Sequence, residues 1–201
     1  MIATERDEEA RAVWRTEMEG VDPATIIFLD ETSTQTVMTR RLGRAPRGER
    51  VIGAVPRNHG PNVTCLMAIG PSAVLAPCVF EGAVDGALFQ RWLADWLLNA
   101  VPPGTTIVLD NLSVHRSPEV RTMIEAANCQ VRYLPPYSPD FTPIEQIFAK
   151  LKTHLRGAAA RTLDELIGAI GTGLDRVTAA DIAGCYAHCG FTLPKATGQP
   201  L

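Results

Sequence analysis

The sequence lacks a paired cysteine motif: its five cysteines (65, 78, 129, 185 and 189) form an odd set with no CxxC. That pattern excludes a disulfide framework and a zinc ribbon, and it fits a reducing compartment. The opening MIATERDEEARAVWR is acidic and polar, so it is not expected to act as a signal peptide. The one long uncharged stretch, Gly60 to Phe80, is broken by Gly70-Pro71-Ser72 and Pro77, so two short strands and a turn are expected there rather than a membrane span. No GxSxG elbow and no P-loop occur, which argues against a metal-free hydrolase. Internal repeats and low-complexity tracts are absent. With 46% apolar residues and a net charge of −3, intrinsic disorder is excluded, and 201 residues suffice for one sizeable core. A soluble cytoplasmic protein is expected.

The small net charge hides a polarity. Residues 1–39 carry 3 basic and 9 acidic side chains, net −6, and residues 62–201 are net −2. Between them, residues 40–61 hold Arg40, Arg41, Arg44, Arg47, Arg50 and Arg57 against Glu49 alone, net +5. Glycine and proline in the same block predict an exposed loop. Arginine's planar fork matches phosphate oxygens, so this loop suits a polyanion; pairing with the acidic N-terminal segment is the alternative.

Hydrophobic periodicity predicts a helix over 7–18, a buried strand over 25–32, a hairpin from strands 63–70 and 73–82, and a helix over 86–101. In that helix Trp92 and Trp96 fall on the apolar stripe, which assigns both to the core. A strand at 105–111 follows, then a helix capped by Ser117 to about Asn128, and a strand at 129–137 running into a proline-rich loop. Thr142-Pro143 opens the next helix. Thr162 and Glu165 form a capping-box pattern for a helix to about Val177, Thr178 caps a last short one, and residues 192–201 are expected to fray. Three antiparallel strands followed by alternating helices and strands predict an α/β fold, a mixed sheet with helices on its faces.

Two of the buried strands end in acid, at Asp30 and Asp110. If they are parallel neighbours, both carboxylates converge at the carboxyl edge of the sheet. Glu145 sits in the first turn of the following helix, at about 100° from the apolar stripe, with Lys152 at about 80° and Arg156 at about 120° on the same flank. Three converging carboxylates repel unless a divalent cation neutralises them, and such sets suit Mg²⁺ or Mn²⁺ beside phosphate substrates. Each acid also has a plain structural reading: an Asx-turn for Asp30 or Asp110, and a capping box with Thr142 for Glu145.

The segments LDNLSVHRSPEV and YLPPYSPDFTPIEQIFAKLK, together with FLDET at 28–32, resemble the catalytic domain of bacterial insertion-sequence transposases of the Tc/mariner superfamily. The likeness runs from about Ile26 to Phe191, and the 34 residues between Asp110 and Glu145 match the spacing of that family's Asp–Asp–Glu triad. Thr142 and Phe148 stand where the family commonly has Asn and Trp; Thr is also a good N-cap, and Phe also fills a buried face.

The resemblance implies an RNase H-like mixed five-stranded sheet in which Asp30, Asp110 and Glu145 hold two Mg²⁺ or Mn²⁺ ions. It implies cleavage of double-stranded DNA at transposon ends with water, then joining of the 3′-hydroxyl to target DNA without a covalent protein intermediate. The organisation it suggests is an N-terminal helix and linker (1–21), a catalytic domain (22–160) with the insertion loop at 40–61, and a short helical C-terminal tail (161–201). It places the six loop arginines, His115, Lys152 and Arg156 near DNA, with Asn111 and Thr142 supporting the site. Asn111 alternatively serves a turn, His115 a loop hydrogen bond, and Lys150, Lys152 and Arg156 an exposed helix face. Cys185, His188 and Cys189 read as helix residues with buried thiols, since no fourth metal ligand is near. Family members carry an upstream helix-turn-helix, and nothing before Asp22 is long enough for one. The expectation is therefore a separate helix-turn-helix polypeptide, or one fused by frameshifting, with a homodimer on DNA in the bacterial cytoplasm at the nucleoid. A structure-selective nuclease and a non-catalytic DNA-binding regulator of the same fold are the alternatives.

Overall fold

The organising element is β1 (Ile26–Thr34), which pairs antiparallel with β2 (Val63–Ile69) on one side and parallel with β4 (Thr106–Leu109) on the other. In the computed structural model, which describes residues 4–58 and 60–194, β3 (Val74–Glu81) and β5 (Gln130–Tyr133) complete a five-stranded sheet in the order β3-β2-β1-β4-β5. The expected tail at 192–201 lies outside the described residues from 195 onward.

Alternation along the strands sorts the core into two layers. Ile26 and Phe28 of β1 and Val108 of β4 face one side, against Ile144, Ile147, Phe148 and Leu151 of α5 (Ile144–Ala158). Ile27, Leu29, Ile107 and Leu109 face the other side. There they meet Phe89 and Trp92 of α2 (Gly86–Trp92) and Val120 and Ile124 of α4 (Pro118–Ala126). The α5 side is thickened by α1 (Glu8–Met18), α6 (Leu163–Asp175) and α7 (Ala179–His188). Tyr186 of α7 is fully buried, and its hydroxyl meets the carbonyls of Ile26 (2.9 Å) and Ile69 (3.2 Å), fastening α7 to the β1–β2 pair. Lys150 bonds Asp181, joining α5 to α7, so it is not a free phosphate contact.

Three local expectations change. First, β1 continues to Thr34 because its far half pairs with β2, so Asp30 lies within the strand and not at its end. Its pairing with β4 stops at Phe28↔Val108. Second, a π turn at Leu93–Leu97 interrupts the helix before α3 (Leu98–Ala100), with the Leu98 N–H reaching the Leu93 carbonyl. This i to i+5 spacing keeps Trp92 and Leu97 buried but swings Trp96 outward, to 50% exposure. Third, Thr142 does not cap α5: Pro143 holds the N-cap position, and no side chain caps it. Thr142 is instead buried and extended, closing a 3-10 turn at Pro139–Phe141.

Candidate active site

The parallel pairing of β1 with β4 brings Asp30 and Asp110 to the same end of the sheet, both on the α5 face by alternation from Phe28 and Val108. Glu145, in the first turn of α5, reaches the same place. The three carboxylates line one cleft of about 470 Å³ together with Asn111, Leu112, the loop from Leu134 to Pro139, and Thr142. Glu145 is exposed and has no hydrogen bond or ion pair among the described residues, so the capping-box role open to it is not used.

Asp30 is half-buried, and its Oδ1 accepts from the Glu31 N–H at 2.8 Å. Burial, followed by the charges of Asp110, Glu31 and Glu145, pushes its carboxyl up to about 8, although the Glu31 N–H opposes this. A set of hard oxygen donors that resists ionisation through mutual repulsion is what a divalent cation relieves. Among the described residues no three such groups are already drawn into a closed cage; the carboxylates flank an open cleft.

Asp110 is held on one oxygen. Its Oδ1 accepts from the Leu112 N–H at 3.0 Å, the expected Asx-turn, and also meets His115 Nδ1 at 2.5 Å. Both contacts fall on Oδ1, and no hydrogen bond reaches Oδ2 among the described residues. The turn role of Asp110 thus uses one of its two oxygens.

His115 is fully buried, so it does not present an edge to DNA. Its Nε2 lies 3.3 Å from Glu31 Oε2, close enough for an ion pair but too poorly aligned for a hydrogen bond. Burial pulls the imidazole down, but its bond to Asp110 and the nearby Glu31 carboxylate outweigh this and raise it to about 9. Sequence reasoning passed over Glu31. Strand alternation points it away from Asp30, and it is the turn after β4 that folds His115 onto that side.

The arginine loop stands apart from this cleft. All six arginines are exposed, and among the described residues no ion pair includes any of them. The acidic N-terminal segment therefore does not neutralise the loop. Arg161 anchors the loop's root through the carbonyls of Thr36 (2.9 Å) and Met38 (3.1 Å). Lys152 and Arg156 are half-buried and line a separate depression of about 260 Å³ at that root, with Ser33, Thr34 and Asn62. The guanidinium of Arg40 lies over the last turn of α5, 3.9 Å from where a side chain at Gly157 would begin.

The proline-rich loop that forms one wall is pinned from outside. Arg11 of α1 is buried and grips Asp140 with both terminal nitrogens (3.0 and 2.6 Å). Its guanidinium stacks 3.8 Å from the Phe141 ring, whose other neighbours are Trp14 and Arg15. Tyr137, at the tip of the loop, adopts a left-handed backbone (φ 52) and stays 57% exposed in the cleft.

A family model described as DDE superfamily endonuclease matches residues 25–167, which include all three cleft carboxylates. The chain belongs to this family. Solved structures agree on the fold of this DDE superfamily endonuclease, a mixed five-stranded sheet of the RNase H-like kind flanked by helices. A pre-cleavage Mos1 transpososome superposes with a TM-score of 0.74 at 16% identity, covering 92% of this chain and 58% of that one. A Mos1 mariner paired-end complex with Mn gives 0.73 at 17% identity, with the same two coverages of 92% and 58%. The Mos1 transposase catalytic domain bound to raltegravir with Mn gives 0.68 at 14% identity, covering 93% of this chain and 88% of that one. The chain thus spans 58% of the length of the transpososome protein and most of the isolated catalytic domain. No curated protein matches it. No helix among the described residues is long and apolar enough to cross a membrane.

Proposed function

We propose that this DDE superfamily endonuclease is the catalytic domain of a transposase, cutting DNA at transposon ends and joining the freed 3′-hydroxyl to target DNA. Asp30, Asp110 and Glu145 would hold two divalent cations, Mg²⁺ or Mn²⁺. The observation that carries this reading is the convergence of carboxylates from β1, β4 and α5 on one open cleft, with Asp30 raised to about 8 by burial and its acidic neighbours. Bound there, the cations would activate the attacking water or hydroxyl and stabilise the leaving oxygen.

The chain's own residues have distinct tasks. Asp30 and Asp110 present oxygens from the rigid sheet, each with one oxygen already fixed by a backbone N–H. Glu145 brings its carboxylate on a separate element, so the site is complete only when α5 is docked. Asn111, Tyr137 and the proline loop form the walls against which a DNA strand would lie. The loop arginines, Lys152 and Arg156 supply phosphate contacts beyond the cleft. Two copies pairing two DNA ends, with a helix-turn-helix half supplied by a separate or frameshift-fused polypeptide, complete the proposed assembly in the cytoplasm.

Cleavage of supercoiled plasmid in Mg²⁺ and in Mn²⁺ tests this. The wild-type chain nicks the plasmid, and Asp110→Asn, which melts like wild type, does not. Equal cleavage by the mutant overturns the assignment. Preference for a four-way junction or an RNA–DNA hybrid over transposon-end DNA would transfer the same site to a structure-selective nuclease.

A further inference from the structure

Glu31 is a fourth carboxylate at the site, on the opposite face of β1 from Asp30. Its side chain is 19% exposed, and Oε2 is fully buried without a hydrogen-bond partner. A carboxylate in that position is costly to keep unless something depends on it. Among the described residues its ion-pair neighbour is His115 Nε2 at 3.3 Å, and the other nitrogen of that ring touches the Asp110 carboxylate at 2.5 Å.

We propose that Glu31, acting through the buried His115 ring, is a positioning residue that fixes the Asp110 carboxylate and so sets how tightly the cleft holds its divalent cation. This rests on the metal-holding reading of Asp30, Asp110 and Glu145. The ring is a crossbar, bonded to Asp110 through Nδ1 and within ion-pair distance of Glu31 through Nε2. Phe89 packs on its face, ring centroids 4.5 Å apart, and the Tyr133 hydroxyl donates to the His115 carbonyl at 3.0 Å. Neither the ring nor its backbone can shift without losing a contact. At the Asp110 end, His115 and the Leu112 N–H both take Oδ1, which leaves Oδ2 without a hydrogen bond among the described residues. Those two bonds restrain the rotation of the carboxylate.

At the far end, Glu31 decides whether the ring stays put. A carboxylate accepts at every oxygen and donates at none, so it can hold the ring only through a nitrogen that carries its proton. Removing Glu31 frees Nε2, and the imidazole can then turn away from Asp110. Partners of metal-binding side chains typically change metal affinity by about 10–100-fold when removed.

The experiment measures Mn²⁺ binding to the full chain by the EPR signal of the free ion, with thermal melting in parallel. Expected is a Kd weaker by about 10–100-fold in E31A and in H115Q, because each breaks one end of the crossbar. E31Q removes the charge that faces Nε2 while keeping the side chain's size, so its Kd should weaken as in E31A. E31A binding Mn²⁺ as tightly as wild type, with only a lower melting temperature, makes Glu31 merely structural and overturns the proposal. A wild-type chain that binds no Mn²⁺, or D110N that binds it unchanged, overturns the metal reading itself and the proposal with it. One readout needs no variant to fold. In Mg²⁺ the wild-type NMR spectrum should show an exchange-protected Nδ1–H on His115, and a ring with no protected N–H refutes the crossbar.

Discussion

A single carboxylate illustrates how the site trades stability for chemistry. Asp30 titrates at about 8 in the folded chain, against an ordinary 3.8, because burial and three neighbouring acids disfavour its charge. Between those values the folded protein holds a proton that the unfolded chain has released. Stability of the metal-free protein therefore falls as pH rises from about 4 to about 8. Solvent reaching the half-buried group reduces the effect to on the order of 1–2 kcal/mol, or about 3–6 °C in melting temperature for a chain of this size. Melting in chelator at pH 5 and pH 6 should show part of this loss in wild type and a shallower slope in Asp30→Asn, and Mg²⁺ should recover stability at pH 8 for wild type alone. Part of the slope above pH 6.5 belongs to His115, whose raised value acts in the same direction, so the low-pH interval isolates Asp30. A second residue-scale case lies outside the site. Ala159 ends α5 in a left-handed conformation (φ 51) that glycine adopts freely. Ala159→Gly should stabilise by about 0.5–1 kcal/mol, visible as a rise of about 2 °C in melting temperature.

At the scale of elements, what could be read in advance was local, and what could not was the product of two elements meeting. The capping box at Thr162 and the cap at Thr178 stand in the structure as read, and Thr178 forms a full box with Asp181, because Ser/Thr followed three residues later by an acid is a complete local signal. The five strands were also legible, through apolar runs and their order, whereas the parallel pairing of the strands carrying Asp30 and Asp110 stood only as a condition until the register was seen. Thr142 failed for a tertiary reason: the 3-10 turn before α5 is held by Arg11 gripping Asp140 and stacking on Phe141, which buries Thr142 away from the helix end. No local pattern links residue 11 to residue 140. Glu31 and Trp96 escaped for similar reasons, one depending on how the loop after β4 folds back and the other on a π turn. The Arg11 link carries a prediction of its own. Arg11→Met leaves Asp140, itself half-exposed, without its partner, and should cost about 1–3 kcal/mol. The proline loop should loosen at the same time. Limited proteolysis within 134–142 and a slower cleavage rate would report it, while an unchanged cutting pattern would show that α1 is dispensable to the wall.

The whole molecule is polar in charge, and the cleft adjoins its acidic part. A groove lined by Asp7, Glu9 and Glu17 of the N-terminal segment shares Asn111, Leu134, Pro135 and Pro136 with the carboxylate cleft. The root of the arginine loop, Lys152 and Arg156 line a separate depression that shares no residue with that groove. A duplex entering the cleft is repelled by the acidic groove and drawn by the basic residues, so its backbone should run over the loop rather than along α1. Arginines that neutralise phosphates release counterions, and each such contact contributes about 0.9 to the slope of log K against log salt. Replacing Arg40, Arg41 and Arg44 by Ala should thus lower that slope by up to about 2.7 and weaken binding uniformly across DNA sequences. Replacing Glu9 and Glu17 by Gln should tighten binding modestly and leave the slope unchanged, since those side chains meet no phosphate. Filter binding from low to moderate salt distinguishes the two. Equal slopes for wild type and the triple arginine variant would mean that DNA takes another path, and that the unpaired positive charge of this loop faces something else.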